Sequence, residues 1–315
     1  MIRGLLVTSF YAALFSSAFV VYSYGAHELD VMVAFAWFSL FAFLALTWRI
    51  EHFRALVAEL KNFATRIAQK DLLSLGVLLH AVCFAIYFAL LLFALGHTNA
   101  VYVLVMLLLQ PIGLSLIGIW YFGDVVRSTF FYFTGLLLTL GGLALFRLEN
   151  WRYADTTVTD WDIVMVAVVG LVVFQTVLRT QATRSNLVSV RFAFQLSFAF
   201  SVVFGLALAL FRGKAGELVA VPFQEEIIAL AYLGIVPTAI ANKGIQECNN
   251  RYGIPLVQSA EALKPVWGWL LSAGISATLG AIHPQMSALQ YLGAALAMVG
   301  VGISLGLGRP ERVDK

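Results

Sequence analysis

Residues 254–279 read IPLVQSAEALKPVWGWLLSAGISATL and place a lysine and a proline near the middle of a long apolar stretch. About 20 predominantly apolar residues are enough for a helix to cross the hydrocarbon core of a bilayer. At about 1.5 Å per residue, Lys264 lies about 15 Å from the start of this stretch. A charge at that depth costs about 2.5–3.5 kcal/mol to insert even on the most lenient scale, so it indicates a partner or a water-filled cavity.

The whole chain is as apolar as this stretch. Of its 315 residues, 61% are hydrophobic and 12% are charged, whereas soluble proteins have about 45–50% and 25%. The mean hydropathy is +0.89. This composition excludes a water-soluble globular protein and a disordered or fibrous chain. We therefore expect an all-α integral membrane protein of the plasma membrane, which is the inner membrane in a bacterium, with membrane lipids as partners.

Apolar stretches separated by polar joints predict ten transmembrane helices. They lie at about 4–24, 31–48, 72–95, 100–121, 128–146, 163–178, 187–211, 227–247, 254–279 and 287–307. With a cytoplasmic N-terminus, fifteen of the twenty Lys and Arg residues fall on the inner side, Arg179 among them, and four fall on the outer side. This positive-inside bias predicts that the N- and C-termini are both cytoplasmic. The net charge of +3 thus reflects membrane topology and does not indicate nucleic acid as a partner.

The joint after the second predicted span is the longest. Residues 50–70 carry Ile50, Phe53, Val57 and Leu60 at helical spacing among basic residues. This pattern predicts an amphipathic helix that lies on the inner leaflet and tethers the second span to the third.

Two features repeat at nearly the same offset, about half the length of the chain. Gln110-Pro111 and Lys264-Pro265 lie 154 residues apart, each near the centre of a predicted span. The pair Gly135 and Gly142 matches the pair Gly293 and Gly300 at an offset of 158. We therefore predict two five-helix repeats, residues 1–150 and 151–315. Because five is odd, the second repeat must be inverted in the bilayer, an arrangement typical of secondary transporters.

Two segments carry a resemblance to a known family. LGIVPTAIANKGIQECNNRYGIPLVQSAEALKPVWGWLL and YLGAALAMVGVGISL resemble the end of an EamA-like domain of the drug/metabolite transporter superfamily. ALGHTNAVYVLVMLLLQPIGLSLIGIWYFGD resembles the corresponding part of the first repeat, where Gly123-Asp124 replaces the usual Gly-Glu. The second repeat has no acidic residue at Gly280-Ala281, and Lys264 stands where many relatives have an uncharged residue. The resemblance implies a ten-helix secondary transporter or exporter of small metabolites.

Gln258, Glu261 and Lys264 recur every three residues and share one face of the ninth predicted span. Lys264 either binds an anionic group of a substrate or forms a structural ion pair with Glu261. Glu261 either neutralises Lys264 in the empty protein, which we favour, or takes up a proton. Gln110 is the repeat equivalent of Lys264, and its amide either binds the same substrate or joins two helices.

Four further residues are candidates for the substrate site. His80 and Tyr87 share a face of the third span; His80 either titrates near neutral pH or binds a neighbouring helix. Asn242 lies late in the eighth span, which borders the expected cavity, and Trp267 follows the central lysine. Each of these side chains has an ordinary packing role as its alternative.

The sequence has no motif for hydrolysis, phosphate binding or metal coordination, so we expect neither an enzyme nor a cofactor. These observations together predict a secondary transporter that moves a small anionic or zwitterionic organic metabolite by alternating access. The alternatives are a flippase for an anionic lipid-linked headgroup, an intramembrane lipid transferase and a membrane scaffold without transport.

Overall fold

A computed structural model describes residues 2–25, 29–97, 103, 107, 109–126, 128–153, 160–223, 225–279, 287–306 and 310–311. Fourteen α-helices run through these residues, with two β-strands of two residues each. The helices are α1 (Ile2–Gly25), α2 (Val31–Thr47), α3 (Ile50–Ala68), α4 (Leu72–His97), α5 (Leu109–Trp120), α6 (Thr129–Tyr153), α7 (Asp160–Arg184), α8 (Val190–Phe211), α9 (Ala215–Ala220), α10 (Glu226–Leu233), α11 (Asn242–Tyr252), α12 (Ile254–Glu261), α13 (Lys264–Leu279) and α14 (Ala288–Gly306). A 3₁₀ turn (Val221–Phe223) follows α9, and a π-helical segment (Gly234–Ala241) joins α10 to α11. Strands β1 (Val125–Val126) and β2 (Pro310–Glu311) pair antiparallel.

The fold is all-α and compatible with a membrane, as the composition predicts. Among the described residues, five helical stretches are long and apolar enough to cross a bilayer, or six if α2 and α3 count as one bent span. The five are Arg3–Tyr22, Leu72–Leu95, Ile163–Arg184, Val190–Phe211 and Glu226–Tyr252. Shorter apolar helices cover Leu109–Trp120, Thr129–Gly142 and Tyr291–Ser304. The full count of ten spans stays a prediction.

The helix predicted after the second span is present as α3. The chain bends by 99° between α2 and α3, at Arg49, whose backbone is extended. One side of α3 packs on the protein through the buried side chains of Leu56 and Phe63. Its predicted apolar stripe, which begins with Ile50 and Phe53, is exposed on the other side. The helix therefore packs one apolar face on the protein and leaves a second one exposed.

The four repeated glycines meet in one interface, between the antiparallel helices α6 and α14. A Cβ atom on Gly135 would overlap the backbone carbonyl of Gly300, and one on Gly142 would overlap that of Gly293. Between these two crossings, Thr139 Oγ1 donates a hydrogen bond of 3.4 Å to a backbone carbonyl of α14, that of Ala297. Only glycine lets the two backbones approach this closely, which explains the spacing of seven in both helices.

Two proline-containing spans depart from regular α-helix: the ninth is interrupted, and the eighth is π-helical over eight residues. The helix of the ninth predicted span stops at Glu261 and resumes at Lys264, because Pro265 has no N–H to donate to the carbonyl of Glu261. In the eighth predicted span, Pro237 lies within the π-helical segment. The Asn242 side chain donates hydrogen bonds to the backbone carbonyls of Pro237 and Thr238 in this segment. Broken helices of this kind are tolerated at membrane depth where other groups satisfy the freed backbone atoms.

Candidate functional site

A small polar cavity lies beside the interruption of the ninth span and the helix α11 of the eighth, bounded by α1, α4, α5, α7, α11, α12 and α13. It is lined by Phe15, Tyr87, Gln110, Val172, Gln175, Thr176, Arg179, Asn242, Ile245, Asn249, Gln258, Glu261 and Lys264. Its free volume is about 30 Å³, which holds one or two water molecules. The lining side chains therefore nearly fill the cavity, and an organic solute fits only if they move apart.

An ion pair between Lys264 and Glu261 spans the break between α12 and α13. Both side chains are buried, with 9% and 3% of their surface exposed. Gln258 Nε2 donates a hydrogen bond of 2.8 Å to the other carboxylate oxygen of Glu261. The ammonium of Lys264 also lies 4.1 Å from the ring centroid of Phe15, a cation–π contact. In this conformation Glu261 neutralises Lys264.

Arg179 is a second buried cation at the same cavity, and sequence reasoning missed it. Its side chain hydrogen-bonds to three uncharged groups, Gln246 at 2.8 Å, Gln175 at 3.3 Å and Thr176 at 3.4 Å. The guanidinium also lies 4.6 Å from the ring centroid of Phe194. These contacts give each guanidinium nitrogen one hydrogen-bond partner, but none of them supplies a negative charge.

The charges that line the cavity do not cancel. Among the lining residues in the described ranges, the cations are Lys264 and Arg179 and the carboxylate is Glu261, which leaves a formal charge of +1. Burying an unbalanced charge is costly, and the cost falls when an opposite charge binds nearby. This arrangement suits an anionic ligand.

The structure brings most of the predicted site residues together. Gln110, Tyr87, Gln258 and Asn242 line the cavity with the ion pair. The amide nitrogen of Asn242 is already used by the backbone carbonyls at Pro237 and Thr238. A ligand would therefore contact the amide oxygen of this residue rather than its nitrogen.

His80 and Trp267 lie outside the cavity lining. His80 Nε2 is 3.1 Å from the Ser197 hydroxyl of α8, and its ring packs edge-on against Phe84. These contacts match the alternative in which His80 binds a neighbouring helix. The indole nitrogen of Trp267 is buried and has no hydrogen-bond partner in the part of the chain that the structure describes.

The boundary predicted for the sixth span explains why Arg179 was assigned to the inner loops. We predicted that this span ends at residue 178, but α7 continues to Arg184, and Arg179 is 5% exposed within it. The inner side thus loses one cation, which leaves fourteen against four. A usable signal existed, because Gln175 and Arg179 are four residues apart and therefore share a helix face.

A second ion pair, between Arg184 and Asp124, lies next to the cavity lining; we call it the Asp124 clamp. Asp124 receives two hydrogen bonds from Arg184, of 3.0 and 3.1 Å, and one of 2.9 Å from the backbone N–H of Ile254 at the start of α12. Arg184 also donates to the backbone carbonyl of Asn249, a residue that lines the cavity. Gly253, with φ of +87°, provides the turn that directs this N–H to Asp124. The clamp thereby ties α7, α11 and α12 to the segment after α5.

No protein-family model matches the chain, and no curated protein matches it. Among solved structures, a crystal structure described only as that of a protein superposes with a TM-score of 0.66. The match covers 98% of both chains at 15% sequence identity. At this identity the similarity shows that the two proteins share a fold along their whole lengths.

Proposed function

We propose that this protein is a secondary transporter that carries a small anionic or zwitterionic organic metabolite across the plasma membrane by alternating access. We further propose that it has ten spans in two inverted five-helix repeats, as the resemblance to the drug/metabolite transporter superfamily implies. The observation that carries the transport proposal is the formal charge of +1 in a small cavity lined by buried side chains, beside the interruption of the ninth predicted span.

The interface of α6 and α14 supports the inverted repeat. Thr139 contacts Ala297, which lies 158 residues later, at the offset of the repeat itself. Gly135 and Gly142 meet Gly300 and Gly293, respectively, so each glycine contacts the equivalent of the other. A two-fold axis through an interface produces this pattern: a residue near the axis contacts its own equivalent, and a residue away from it contacts the equivalent of another residue.

The remaining helix contacts agree with such an axis. The packing of α4 on α7 is matched by the packing of α10, the π-helical segment and α11 on α1. The pairs α2 with α8, and α5 with α12, each join one element to its own repeat equivalent. A two-fold axis between the repeats accounts for this pairing, and the antiparallel course of the equivalent helices α6 and α14 favours an inverted over a parallel duplication.

The site suggests how an anion would be bound. A carboxylate or phosphate of the solute would approach Lys264 and share or replace Glu261, while Arg179 contributes the charge that remains unbalanced. Gln110 and Tyr87, from the first repeat, would contact the other end of the solute. The break at residues 262–263 and the π-helical segment at Pro237 are the positions where the helices can bend to open the cavity, because each proline already lacks one backbone hydrogen bond there.

The proposal is tested by binding and uptake measured on the same preparations. Purified protein is screened by thermal shift against carboxylated, phosphorylated and zwitterionic metabolites, because a ligand that binds only the folded state raises Tm. Compounds that raise Tm are then tested for uptake into proteoliposomes. We expect Lys264→Gln to abolish both signals while the protein still inserts, and Lys264→Arg to retain part of them.

Three outcomes would contradict the proposal. Normal uptake by a folded Lys264→Gln variant would make the lysine structural. Movement of a labelled lipid-linked anion without uptake of any soluble solute would favour a flippase, and a covalently altered lipid would favour a transferase. Reporter fusions at the two termini and in the joints test the ten-span topology, which requires both termini to be cytoplasmic.

A further inference from the structure

A second cavity lies on the other face of α11, and we call it the lateral crevice. It is lined by Tyr11, Ala45, Leu46, His52, Arg191, Ile240, Lys243, Gly244 and Glu247 and has a volume of about 190 Å³. Along this part of the chain, Lys243 and Glu247 face the crevice, whereas Asn242 and Asn249 face the central cavity. The lateral crevice is therefore separate from the candidate transport site.

The lateral crevice carries positive charge that the protein leaves unbalanced. Lys243 is paired with Glu247 at 2.7 Å. Arg191 has no carboxylate within ion-pair distance in the described ranges. His52 Nδ1 is buried there without a hydrogen-bond partner. The pKa of His52 is lowered, first by burial and then by the positive charges of Arg191, Arg49 and Lys243; Glu51 opposes these effects. The ring therefore lies in a net positive environment.

We propose that the lateral crevice binds the phosphate of an anionic phospholipid from the inner leaflet. The planar guanidinium of Arg191 can donate two parallel hydrogen bonds to phosphate oxygens. Lys243 supplies a second cation and His52 a ring nitrogen. Basic pockets between helices at the cytoplasmic side of a membrane are suited to acidic lipid headgroups. The placement on the inner side rests on the proposed topology, but lipid binding does not depend on transport.

The surroundings favour a lipid over a free phosphate ion. Trp48 and Ile50, at the bend between α2 and α3, expose 73% and 71% of their surface, and Phe53 exposes 56%. These apolar side chains are close to His52 in the sequence, and Ile50 and Phe53 belong to the exposed apolar stripe of α3. Ser189, two residues before Arg191, holds α3 against the start of α8 through two hydrogen bonds to Glu59. A headgroup in the crevice would thus leave acyl chains beside an apolar surface.

The test compares three additives on delipidated protein in a neutral detergent. We expect phosphatidylglycerol to raise Tm, and phosphatidylcholine and inorganic phosphate at the same concentration to leave it unchanged. Arg191→Gln and Lys243→Gln should each weaken phosphatidylglycerol binding by about tenfold or more, since each removes a charged partner. Arg54→Gln is the matched control, because it removes one positive charge from the exposed side of α3 outside the crevice. Native mass spectrometry of the same samples counts the lipids retained.

Each other outcome overturns the proposal. Equal phosphatidylglycerol binding by Arg191→Gln and the unmodified protein would exclude the crevice. An equal loss in Arg54→Gln would indicate nonspecific attraction to a basic surface. A shift with inorganic phosphate as large as that with phosphatidylglycerol would indicate a free-anion site. Lys264→Gln should keep the full lipid shift, so that failure of the transport proposal and failure of the lipid proposal give different results.

Discussion

Removing one member of the central ion pair should destabilise the protein by an amount that depends on which member is removed. Glu261→Gln leaves Lys264 and Arg179 as two cations at one cavity, a formal charge of +2. Lys264→Gln instead leaves Arg179 with Glu261, a formal charge of zero. A charge-symmetric pair would give equal losses. The presence of Arg179 therefore predicts that the glutamate is worth more to stability than the lysine.

The magnitude follows from the burial of the pair. Breaking a buried ion pair by removing one partner costs about 3–5 kcal/mol, because the remaining charge stays buried. We expect a loss in this range for Glu261→Gln and a loss below about 1.5 kcal/mol for Lys264→Gln, since Arg179 still balances the carboxylate. The double variant Glu261→Gln with Lys264→Gln returns to +1, as in the unmodified protein. It should therefore recover most of the loss.

Chemical unfolding in detergent, followed by circular dichroism, measures these differences. Lys214→Gln is the control, because its pairing with Glu217 at 3.1 Å is partly exposed and should contribute about 0–1 kcal/mol. The reasoning fails if Lys264→Gln is as unstable as Glu261→Gln. It also fails if the double variant is no more stable than Glu261→Gln, because Arg179 would then not share the electrostatics of this cavity.

Three further predictions test the packing, the lateral crevice and the Asp124 clamp. Gly135→Val should cost about 1–3 kcal/mol in the same unfolding measurement or prevent assembly, whereas Gly170→Ala, whose Cβ would meet open space, should not destabilise. The pKa of His52 should be lower in the folded than in the unfolded protein, so its contribution to stability falls as the pH drops below about 6.5. In Arg191→Gln this pKa should rise, as NMR titration would detect. Asp124→Asn should loosen the clamp, which holds the backbone of Asn249, and increase labelling of a cysteine introduced at position 249; an unchanged labelling rate would show that the clamp does not limit access to the cavity.

Much of the architecture was accessible from the sequence because backbone chemistry dictates it. Neither Pro265 nor Pro237 has an N–H to donate to a helical carbonyl; Pro265 directly follows the break between α12 and α13, and Pro237 lies in the π-helical segment. The glycine pairs indicated the repeat through their shared spacing, and the structure adds that they form a close helix contact. The bend after Thr47 was also predictable, since the periodicity changes there from uniformly apolar to amphipathic.

The composition of the site was less accessible, because a hydropathy pattern ends a span at its first charge. That rule placed Arg179 outside the membrane, although Gln246 and two other polar side chains bind its three nitrogens within the bundle. The face on which His80 lies could not be read from a uniformly apolar span either. In such a span no polar stripe marks the side that faces the interior. The contacts of His80 therefore depend on the neighbouring helix α8, which places Ser197 beside it.

The charge of the central cavity also bears on how the proposed transporter would cycle. A solute with one net negative charge would make the loaded cavity neutral, whereas a net-neutral zwitterion would leave it at +1. The empty cavity carries the same +1, and moving an unbalanced buried charge between two closed conformations is costly. Loaded transitions with a monoanion should therefore be faster than the empty transition, which favours exchange of one anion for another. In proteoliposomes, uptake of a labelled monoanion should rise several-fold when the same unlabelled anion is inside. Equal uptake rates with and without internal anion would show that the empty protein changes conformation as fast as the loaded protein. The charge of the cavity would then not limit the cycle.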